Sequence, residues 1–319
     1  MKSVDLCAGI GGIRLGFEQN GVETVYANDI DSRCGITYDL NFPTSPLTVK
    51  DIKFPPGQGE RTVLEDIEEV DYDILTAGFP CQAFSVAGYR QGFRDNRGRG
   101  DLFFYLAEVL QKTEPESFLL ENVKNLYTHD SGRTYRIIEN SLTGLGYNVT
   151  TKVLNSMEYG NVPQNRERIY IVGFKNKKSY YEFKFPERIP RTVNITDILE
   201  DEVGDEFYYE NSNIWDQMSD YPFKEGVAYQ WRRRYIRENK SGVFPTLTAN
   251  MGTGGHNVPL IKDKKGVRKL TPQECFRVQG FPEEYKLPDM SRTTLYEQIG
   301  NAVTVPVIQR IAQNILNVV

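Results

Sequence analysis

The chain has 319 residues, enough for about two domains, and its 39% hydrophobic and 25% charged residues exclude a wholly disordered protein. No apolar run reaches the roughly 20 residues that span a bilayer, and the N-terminus lacks the apolar core of a signal peptide, so we expect a cytoplasmic protein without a membrane partner. The four cysteines form no C-x-x-C pair and there are two histidines, which argues against a disulfide framework and against a metal site.

Short apolar runs alternate with amphipathic segments up to about Phe174. Such alternation is typical of βαβ units, and it predicts an α/β fold with a mostly parallel sheet. The predicted elements, in chain order, are the strand Val4–Ala8, the helix Gly12–Asn20, the strands Thr24–Ala27 and Asp73–Ala77, the helix Leu102–Lys112, and the strands Phe118–Leu120 and Arg168–Phe174.

The character of the sequence changes after residue 186. Residues 187 to about 257 are rich in Tyr, Asn, Gly and charge, with weak periodicity, which indicates a second and smaller domain. An amphipathic helix predicted over Val303–Leu316 is expected to return and pack on the first domain. We therefore predict a first domain of residues 1–186 that is completed by residues 292–319, and a second domain of residues 187–291.

A basic segment lies within this acidic chain of net charge −5. The basic island, Gly226–Leu270, holds ten Lys and Arg residues against two acids, whereas Thr196–Glu225 holds ten acids and one lysine. This distribution is typical of a surface that binds a polyanion, although a solvated surface face produces the same pattern. The aromatic residues Tyr229, Trp231 and Tyr235 inside the island favour nucleic acid.

The first predicted strand runs into a glycine-rich turn, Ala8–Gly12, that opens a helix. Such a turn lets a cofactor approach the backbone. Asp29 lies 20 residues beyond Gly9, at the end of the second predicted strand. There its carboxylate can form hydrogen bonds with ribose hydroxyls. Arg14 replaces the last glycine of the dinucleotide pattern G-x-G-x-x-G, and its side chain is expected to crowd the packing of helix on strand. The pattern favours a nucleoside cofactor without a pyrophosphate over a nicotinamide dinucleotide.

Cys81 lies in the segment Gly78–Ser85, just past the C-terminal end of a predicted strand, at the sheet edge where ligands of α/β proteins bind. A thiol there is a candidate nucleophile, and because few thiols are ionised at neutral pH, a nearby proton acceptor or cation must activate it. A buried structural cysteine is the alternative interpretation. Four arginines follow within 20 residues, namely Arg90, Arg94, Arg97 and Arg99.

Glu121 ends the next predicted strand and is expected to reach the same sheet edge as Cys81. A carboxyl in a partly dry pocket can keep a raised pKa and act as a proton donor, whereas a helix-capping or exposed glutamate is the alternative. In the segment Gln164–Arg168, strand alternation points Arg166 and Arg168 to the same face. Either arginine would clamp a carbonyl oxygen, or both would lie at the surface.

Six motifs, in this order along nearly the whole chain, resemble those of the DNA cytosine-5 methyltransferases of bacterial restriction-modification systems. The resemblance implies the S-adenosylmethionine-dependent methyltransferase fold, which is Rossmann-like, with residues 187–291 as an irregular target-recognition domain and hinge. The motifs are Asp5–Gly12, Gly78–Ser85 with its Pro-Cys pair, Glu121–Val123, Gln164–Arg168, Arg268–Cys275 with Gln279–Pro282, and Gly300–Val303.

The resemblance also implies a reaction and the residues that carry it. Cys81 matches the nucleophile that attacks C6 of the target cytosine, and Glu121 matches the glutamate that protonates N3. Arg168 matches the arginine that holds O2, with Arg166 nearby. C5 then takes the methyl group of S-adenosylmethionine, and loss of the C5 proton and of the thiolate releases 5-methylcytosine.

The family's S-adenosylmethionine site also maps onto this chain. Cys7 and Ile30 stand where many members have an aromatic residue, and Asp29 replaces the usual glutamate, so we expect weaker or differently packed cofactor binding. The positions that match the cofactor site are Asp5, Cys7, Ala8, Gly9, Ile10, Gly11, Gly12, Asp29, Ile30, Asp51, Ile52, Gly78, Pro80, Asn301, Ala302 and Val303.

The resemblance implies double-stranded DNA as the partner, with the target base flipped out of the helix. Gln82–Asp101 resembles the mobile loop that closes over that base, and the basic island would lie in the target-recognition domain. We expect a monomer, with a cognate restriction endonuclease as a further partner. The expected DNA-binding residues are Gln82, Ser85, Arg90, Arg94, Arg97, Arg99, Trp231, Arg232, Arg233, Arg234, Thr246, Leu247, Gly254 and Gly255.

Three other functions stay open at this point. A tRNA cytosine-5 methyltransferase shares the fold, a module that binds S-adenosylmethionine without catalysis shares the cofactor site, and a nicotinamide oxidoreductase shares the glycine-rich turn. The long segment from Glu187 to Pro259, with its basic island, favours duplex DNA over tRNA. The presence of Cys81, Glu121 and Arg168 argues against a silent module.

Overall fold

The computed structural model describes residues 1–52, 59–79, 102–210, 212, 214–232, 234–252 and 258–319. The chain divides into two compact units. The first unit comprises Met1–Leu154, Glu167–Pro186 and Ile308–Val319, and the second unit comprises Asn155–Arg166 and Glu187–Val307. The predicted boundaries differ from this division at residues 155–166 and 292–307, which the structure places in the second unit.

The first unit is built on a sheet. The first eight strands are β1 (Lys2–Leu6), β2 (Glu23–Asp29), β3 (Thr48–Val49), β4 (Ile74–Gly78), β5 (Ser117–Val123), β6 (Asn148–Asn155), β7 (Gln164–Asn165) and β8 (Glu167–Phe174). Among the described residues, seven of these form one sheet in the spatial order β3-β2-β1-β4-β5-β8-β6. Strands β1 to β5 pair in parallel and β8 pairs antiparallel with β5, so the predicted α/β fold with a mostly parallel sheet is confirmed.

Helices connect these strands and cover their apolar side chains. Strand β5 is buried along nearly its whole length, which explains its continuous apolar run rather than an alternating pattern. Among the described residues, no helix combines the length and the apolarity needed to cross a membrane. The helices of this unit are α1 (Gly12–Glu18), α2 (Ser32–Asn41), α3 (Val63–Glu68), α4 (Leu102–Thr113), α5 (Asn125–Thr128) and α6 (Arg133–Gly144), with a 3₁₀ turn at His129–Gly132.

The second unit contains short strands and helices. Strands β10, β9, β12 and β13 form a sheet in that order, and β11 pairs in parallel with β7; their bounds are β9 (Tyr229–Trp231), β10 (Ile236–Glu238), β11 (Phe244–Pro245), β12 (Pro259–Lys262) and β13 (Val267–Lys269). The remaining helices of the chain are α7 (Ser156–Tyr159), α8 (Lys177–Glu182, first unit), α9 (Pro272–Val278), α10 (Arg292–Asn301) and α11 (Val305–Leu316), with 3₁₀ turns at Thr196–Ile198, Asp205–Phe207 and Trp215–Gln217.

Helix α11 packs on the first helix of the chain from Ile308 onwards. A Cβ placed on Gly16 of α1 would lie 2.6 Å from Cγ2 of Ile308, so a larger residue at position 16 has no room. Nearby, the Asn20 side-chain amide donates to the carbonyl oxygen of Gln309 at 2.9 Å. The last residues of α11 therefore complete the first unit.

A buried ion pair ties the small sheet of the second unit to α9. The Arg268 guanidinium donates to the two carboxylate oxygens of Glu274 at 2.8 and 2.7 Å, and its Nε donates to Asp263 at 2.6 Å. Arg268 and Glu274 are both 0% exposed. Glu274 also completes the capping box of Thr271 at the start of α9. This full set of partners offsets the free energy needed to bury both charges.

Candidate active site

The ends of three neighbouring strands of the first unit bring the sequence motifs to one edge of the sheet. Gly78 of β4 pairs with Glu121 of β5, and Ala77 pairs with Leu6, the last residue of β1. A Cβ placed on Gly78 would lie 3.8 Å from Glu121 Oε2 and 3.9 Å from the carbonyl oxygen of Cys7. The turn after β1, the end of β4 and the carboxylate of β5 therefore lie within one side chain's reach of each other.

Glu121 and Arg168 form an ion pair at this edge. Arg168 Nε lies 3.1 Å from Glu121 Oε1, and both side chains are largely buried. Arg168 comes from β8, where it pairs with Val123, two residues beyond Glu121. A carboxyl beside a fixed guanidinium donor can bind a ring nitrogen and an adjacent carbonyl oxygen of one heterocycle.

Asn122 fixes the chain just before the candidate nucleophile. Its Nδ2 donates to the carbonyl oxygen of Phe79 at 2.9 Å, and the Phe79 ring is buried with its centroid 6.2 Å from that of Phe103. Phe79 is therefore held through its backbone and its side chain. The predicted site residues that lie outside the described residues are Pro80, Cys81, Gln82, Ser85, Arg90, Arg94, Arg97, Arg99, Arg233, Gly254 and Gly255.

The glycine-rich turn after β1 is held by the end of β2. The Gly9 N–H donates to Asp29 Oδ2 at 2.8 Å, and the Asp31 N–H donates to Asp29 Oδ1 at 2.9 Å. Burial raises the pKa of Asp29, and these two N–H donors oppose the rise. Gly9 has a φ of +54°, and a Cβ there would meet no atom within 4 Å. The turn therefore presents accessible backbone beside an oriented carboxylate.

Asp5 is a buried carboxyl at the end of β1. The Thr76 hydroxyl on the adjacent strand donates to Asp5 Oδ1 at 2.7 Å, whereas Oδ2 has no hydrogen-bond partner among the described residues. Burial raises the pKa of Asp5 to about 7, although the Thr76 hydrogen bond and the nearby Arg14 oppose the rise. Asp5 is therefore a buried acceptor whose charged form favours a cationic partner.

Three further predicted cofactor positions lie near the end of β2. Ile30 follows β2 and is 66% exposed, which is unusual for an isoleucine. The Asn28 side-chain amide donates to two carbonyl oxygens of the segment Thr48–Lys50, at 3.0 and 2.9 Å. This segment leads directly into Asp51 and Ile52, which are both partly buried. Asn28 therefore fixes the approach of these two residues to the end of β2.

The expectation that Arg14 crowds the packing of α1 is wrong. Its guanidinium is buried, and it donates to Glu18 at 2.7 Å, to the Tyr38 hydroxyl at 2.9 Å and to the carbonyl oxygen of Ser45 at 2.9 Å. These partners satisfy the charge inside the fold. The close approach of a neighbouring helix to α1 occurs two residues later, at Gly16.

Arg166 has a structural role in the second unit, which corrects its prediction as a catalytic residue. Its guanidinium is 2% exposed and donates to the carbonyl oxygens of Leu247, Gly300 and Ala302 at 2.7, 3.2 and 2.7 Å. The alternation that grouped it with Arg168 does not apply, because Arg166 lies between β7 and β8 rather than within one strand. Three buried carbonyl groups depend on this side chain.

Gln164 and Gln279 extend this buried network. Gln164 accepts the Leu247 N–H at 3.0 Å and donates to Gln279 Oε1 at 2.9 Å, and Gln279 donates in turn to the carbonyl oxygen of Ala302 at 3.2 Å. The Leu247 side chain is fully buried, which corrects its prediction as a DNA contact. The Thr246 hydroxyl donates to a backbone carbonyl of β7 at 2.7 Å.

The cofactor positions Asn301, Ala302 and Val303 belong to the second unit. Asn301 is exposed, Ala302 is partly buried and Val303 is buried. Since the carbonyl oxygen of Ala302 accepts hydrogen bonds from both Arg166 and Gln279, the network holds the backbone of this turn in one conformation.

Trp231 is a core residue, which corrects the prediction that it binds DNA. It is 5% exposed and belongs to an aromatic cluster with Tyr209, Phe223 and Tyr229. Arg232 and Arg234, on the loop that follows it, are exposed. Of Trp231, Arg232 and Arg234, the two arginines are therefore the residues that a ligand can reach.

Sequence reasoning missed Thr76 as the partner of Asp5 in the first unit, and Gln279 as a member of the buried network in the second unit. Thr76 pairs in register with Asp5 across two parallel strands, and a polar residue in an otherwise apolar strand is the signal that could have identified it. Gln279 lies in the Gln279–Pro282 motif, but its partners Gln164 and Ala302 are too distant in sequence to be inferred.

Comparisons with known proteins agree with these motifs. The model of the family "C-5 cytosine-specific DNA methylase" matches residues 1–317. The Type II methyltransferase M.Bsp6I of Bacillus sp. (strain RFL6) is 50% identical to this chain over 320 residues, which cover 99% of this chain and 98% of that protein. The Type II methyltransferase M1.ScrFI of Lactococcus lactis subsp. cremoris is 40% identical over 331 residues, covering 99% of this chain and 78% of that protein.

Solved structures show the same fold. A mutant form of DNMT2 from Spodoptera frugiperda has a TM-score of 0.74 to this chain at 21% identity, covering 99% of both chains. Likeness at this level of identity supports the fold alone. Family membership is established by the family model, which matches nearly the whole sequence, and by the relatives at 50 and 40% identity. The chain belongs to the C-5 cytosine-specific DNA methylase family.

Proposed function

We propose that this DNA cytosine-5 methyltransferase transfers the methyl group of S-adenosylmethionine to a cytosine flipped out of a short, specific duplex site, through a covalent bond between Cys81 and C6. The observation that carries the proposal is the buried pair of Glu121 and Arg168, whose Oε1 and Nε atoms lie 3.1 Å apart. N3 and O2 are neighbouring positions on cytosine, so one such pair can bind both atoms.

The roles of the residues follow from the chemistry of the ring. C5 of cytosine is a poor nucleophile until addition at C6 breaks the aromaticity. The Cys81 thiolate forms the bond to C6 while Glu121 gives a proton to N3 and Arg168 holds O2. When bound, S-adenosylmethionine supplies an electrophilic methyl group. Loss of the C5 proton then restores the double bond and releases the Cys81 thiolate.

The residues around the glycine-rich turn fit S-adenosylmethionine. Asp5 Oδ2 is a buried acceptor without a hydrogen-bond partner among the described residues, suited to the cationic amino group. The Asp29 carboxylate is oriented by two N–H donors and suits the ribose hydroxyls. Accessible backbone at Gly9 and the exposed Ile30 side chain suit the sulfur-bearing chain and the adenine ring.

The Asp5→Asn variant is expected to bind S-adenosylmethionine tenfold or more weakly at a pH of about 8, because a neutral amide lacks the negative charge that attracts the cationic amino group. In the wild type, affinity should fall as the pH drops below 7, since the pKa of Asp5 is about 7 and the protonated acid carries no charge. The variant should lack this part of the pH dependence. Isothermal titration calorimetry across this range measures both effects.

Two controls separate lost binding from lost folding. Burial raises the pKa of Asp5 in the folded state, so the ionised carboxyl destabilises the fold above pH 7 and this penalty fades as the pH falls. Asp5→Asn should therefore be at least as stable as the wild type at high pH. The exposed Asp220→Asn should bind normally. An Asp5→Asn protein with wild-type affinity and pH profile would remove Asp5 from the cofactor site.

We further propose duplex DNA as the partner of a monomeric, cytoplasmic enzyme, with target recognition by residues 187–291 and a cognate restriction endonuclease in the same system. Two observations support this: the relatives at 50 and 40% identity are named Type II methyltransferases, and the basic island lies in the second unit. These names also disfavour tRNA as the substrate. A monomer suffices because one enzyme can modify the two strands of a site in separate visits.

Expression in a methylation-deficient host, followed by bisulfite sequencing of a plasmid, tests the function and maps the site. We expect 5-methylcytosine at one position of one short sequence. A duplex carrying 5-fluorocytosine at that position should then trap the protein as an adduct that survives denaturation, with the bond on Cys81, because fluorine blocks the final elimination. Unmodified plasmid together with methylated tRNA would overturn the proposal.

A further inference from the structure

The aromatic residues Tyr229, Trp231 and Tyr235 of the basic island differ in solvent exposure. Tyr229 and Trp231 alternate along β9 and point into the aromatic core, where they are 0% and 5% exposed. Tyr235, on the following loop, is 60% exposed. Among the described residues of the island, Tyr235 is therefore the aromatic side chain that a ligand can reach.

Tyr235 lies between the two strands of a hairpin. Trp231 of β9 pairs with Ile236 of β10, and Arg232, Arg234 and Tyr235 are described residues between these two strands. The Arg232 N–H donates to the carbonyl oxygen of Tyr235 at 2.9 Å, and the Arg234 N–H donates to that of Arg232 at 2.8 Å. The buried Trp231 side chain anchors β9 in the core, and the two backbone hydrogen bonds link Tyr235 and Arg234 to Arg232.

The outward face of this hairpin is basic. Ile236 packs against the aromatic core, so alternation along β10 places Arg237 on the opposite face, whereas Tyr235, just before β10, is exposed. Arg232 lies on that face as well, since its guanidinium donates to Gln230, the residue that pairs with Arg237. Among the described residues, no carboxylate forms an ion pair with Arg232 or Arg237. The hairpin thus presents a tyrosine flanked by uncompensated guanidinium groups.

We infer that strands β9 and β10, with Arg232 and Tyr235 between them, enter a groove of the DNA and that Tyr235 contacts the base pairs of the recognition site. The inference rests on the proposed function. A two-stranded ribbon fits the major groove, about 12 Å wide, with tip side chains at the base edges and flanking side chains at the phosphates. Guanidinium groups bind phosphates and carry no sequence information, whereas a tyrosine ring and hydroxyl can contact a base. Tyr235 is therefore a specificity residue, and Arg232 and Arg237 are phosphate contacts.

Binding of Tyr235→Ala to two short duplexes tests this inference. One duplex carries the site mapped by bisulfite sequencing, and the other differs at one base pair beside the target cytosine. We expect the variant to lose about 10- to 100-fold in affinity for the mapped site and little for the altered one. The slope of affinity against salt should not change, because no phosphate contact is lost, whereas Arg237→Ala should weaken both duplexes equally and reduce that slope by about one.

The control is Tyr181→Ala, which removes a tyrosine of the first unit that is 70% exposed and far from the basic island in sequence. Both tyrosine variants should keep the wild-type melting temperature, since neither side chain is buried. Tyr235→Ala that binds like Tyr181→Ala, or that weakens both duplexes equally, overturns the inference while plasmid methylation by the wild type still supports the proposed function. A wild type that methylates tRNA and leaves DNA unmodified overturns both.

Discussion

Replacement of Cys81 by alanine is expected to lower methyl transfer to DNA by a factor on the order of 10⁴ or more, as removal of an attacking nucleophile does in other covalent enzymes. Without the bond to C6, C5 remains part of an aromatic ring and cannot attack an electrophilic methyl group. Incorporation of radiolabelled methyl groups into plasmid DNA measures the effect. The variant should still bind S-adenosylmethionine and DNA, because neither binding step uses the sulfur.

The chain offers a matched control for this experiment. Cys34 on α2 has a buried side chain, and Cys34→Ala makes the same chemical change at a residue that is not part of the proposed site. It should keep wild-type methyl transfer within a few-fold. Residual activity of Cys81→Ala within tenfold of the wild type would show that the reaction proceeds without the adduct.

Arg268→Met should lower the free energy of unfolding by about 3 to 5 kcal/mol, since it leaves the fully buried Glu274 carboxylate without its cation. This is a large part of the 5–15 kcal/mol typical of folded domains. Urea denaturation followed by tryptophan fluorescence measures the loss. Trp231 and Trp215 lie in or against the core cluster of the same unit, so the signal reports directly on it.

The double variant Arg268→Met with Glu274→Met tests whether the lost stability comes from the unpaired buried charge of Glu274. Removal of both charges should recover part of the lost stability, because an apolar pair needs no desolvation of ions. The recovery stays partial, since Glu274 also accepts the Thr271 and Glu200 N–H groups. Lys265→Met, which removes an exposed ion pair with Asp205, should change stability by less than about 1 kcal/mol. Equal losses for Arg268→Met and Lys265→Met would contradict the argument.

The central sheet could be predicted because its strands are buried. The predicted strands at Val4–Ala8, Asp73–Ala77 and Phe118–Leu120 overlap β1, β4 and β5, where short, mostly apolar runs are typical of buried strands. Strand β6 escaped prediction because most of its residues are only partly buried, so polar and apolar residues mix along it. The strands of the second unit were missed because most have only two to four residues, too few for a period to show.

Side-chain direction was harder to predict than secondary structure. Trp231 was chosen as a DNA contact for its residue type, yet its side chain points into the core, whereas Tyr235, between β9 and β10, is exposed. Arg166 was grouped with Arg168 by an alternation that requires one continuous strand, and the break between β7 and β8 removes that condition. Both errors have one cause: the bounds of short strands decide which way a side chain points, and sequence patterns locate those bounds poorly.

The path of the chain has a consequence for its synthesis. The backbone passes between the two units four times, and Gly16 near the start packs against Ile308 near the end. On the ribosome, the nascent first unit must therefore wait for about 290 further residues before its earliest helix is covered. A chain that stops before that point leaves the Gly16 face of α1 uncovered, and exposed apolar surface of this kind makes incomplete chains prone to aggregation.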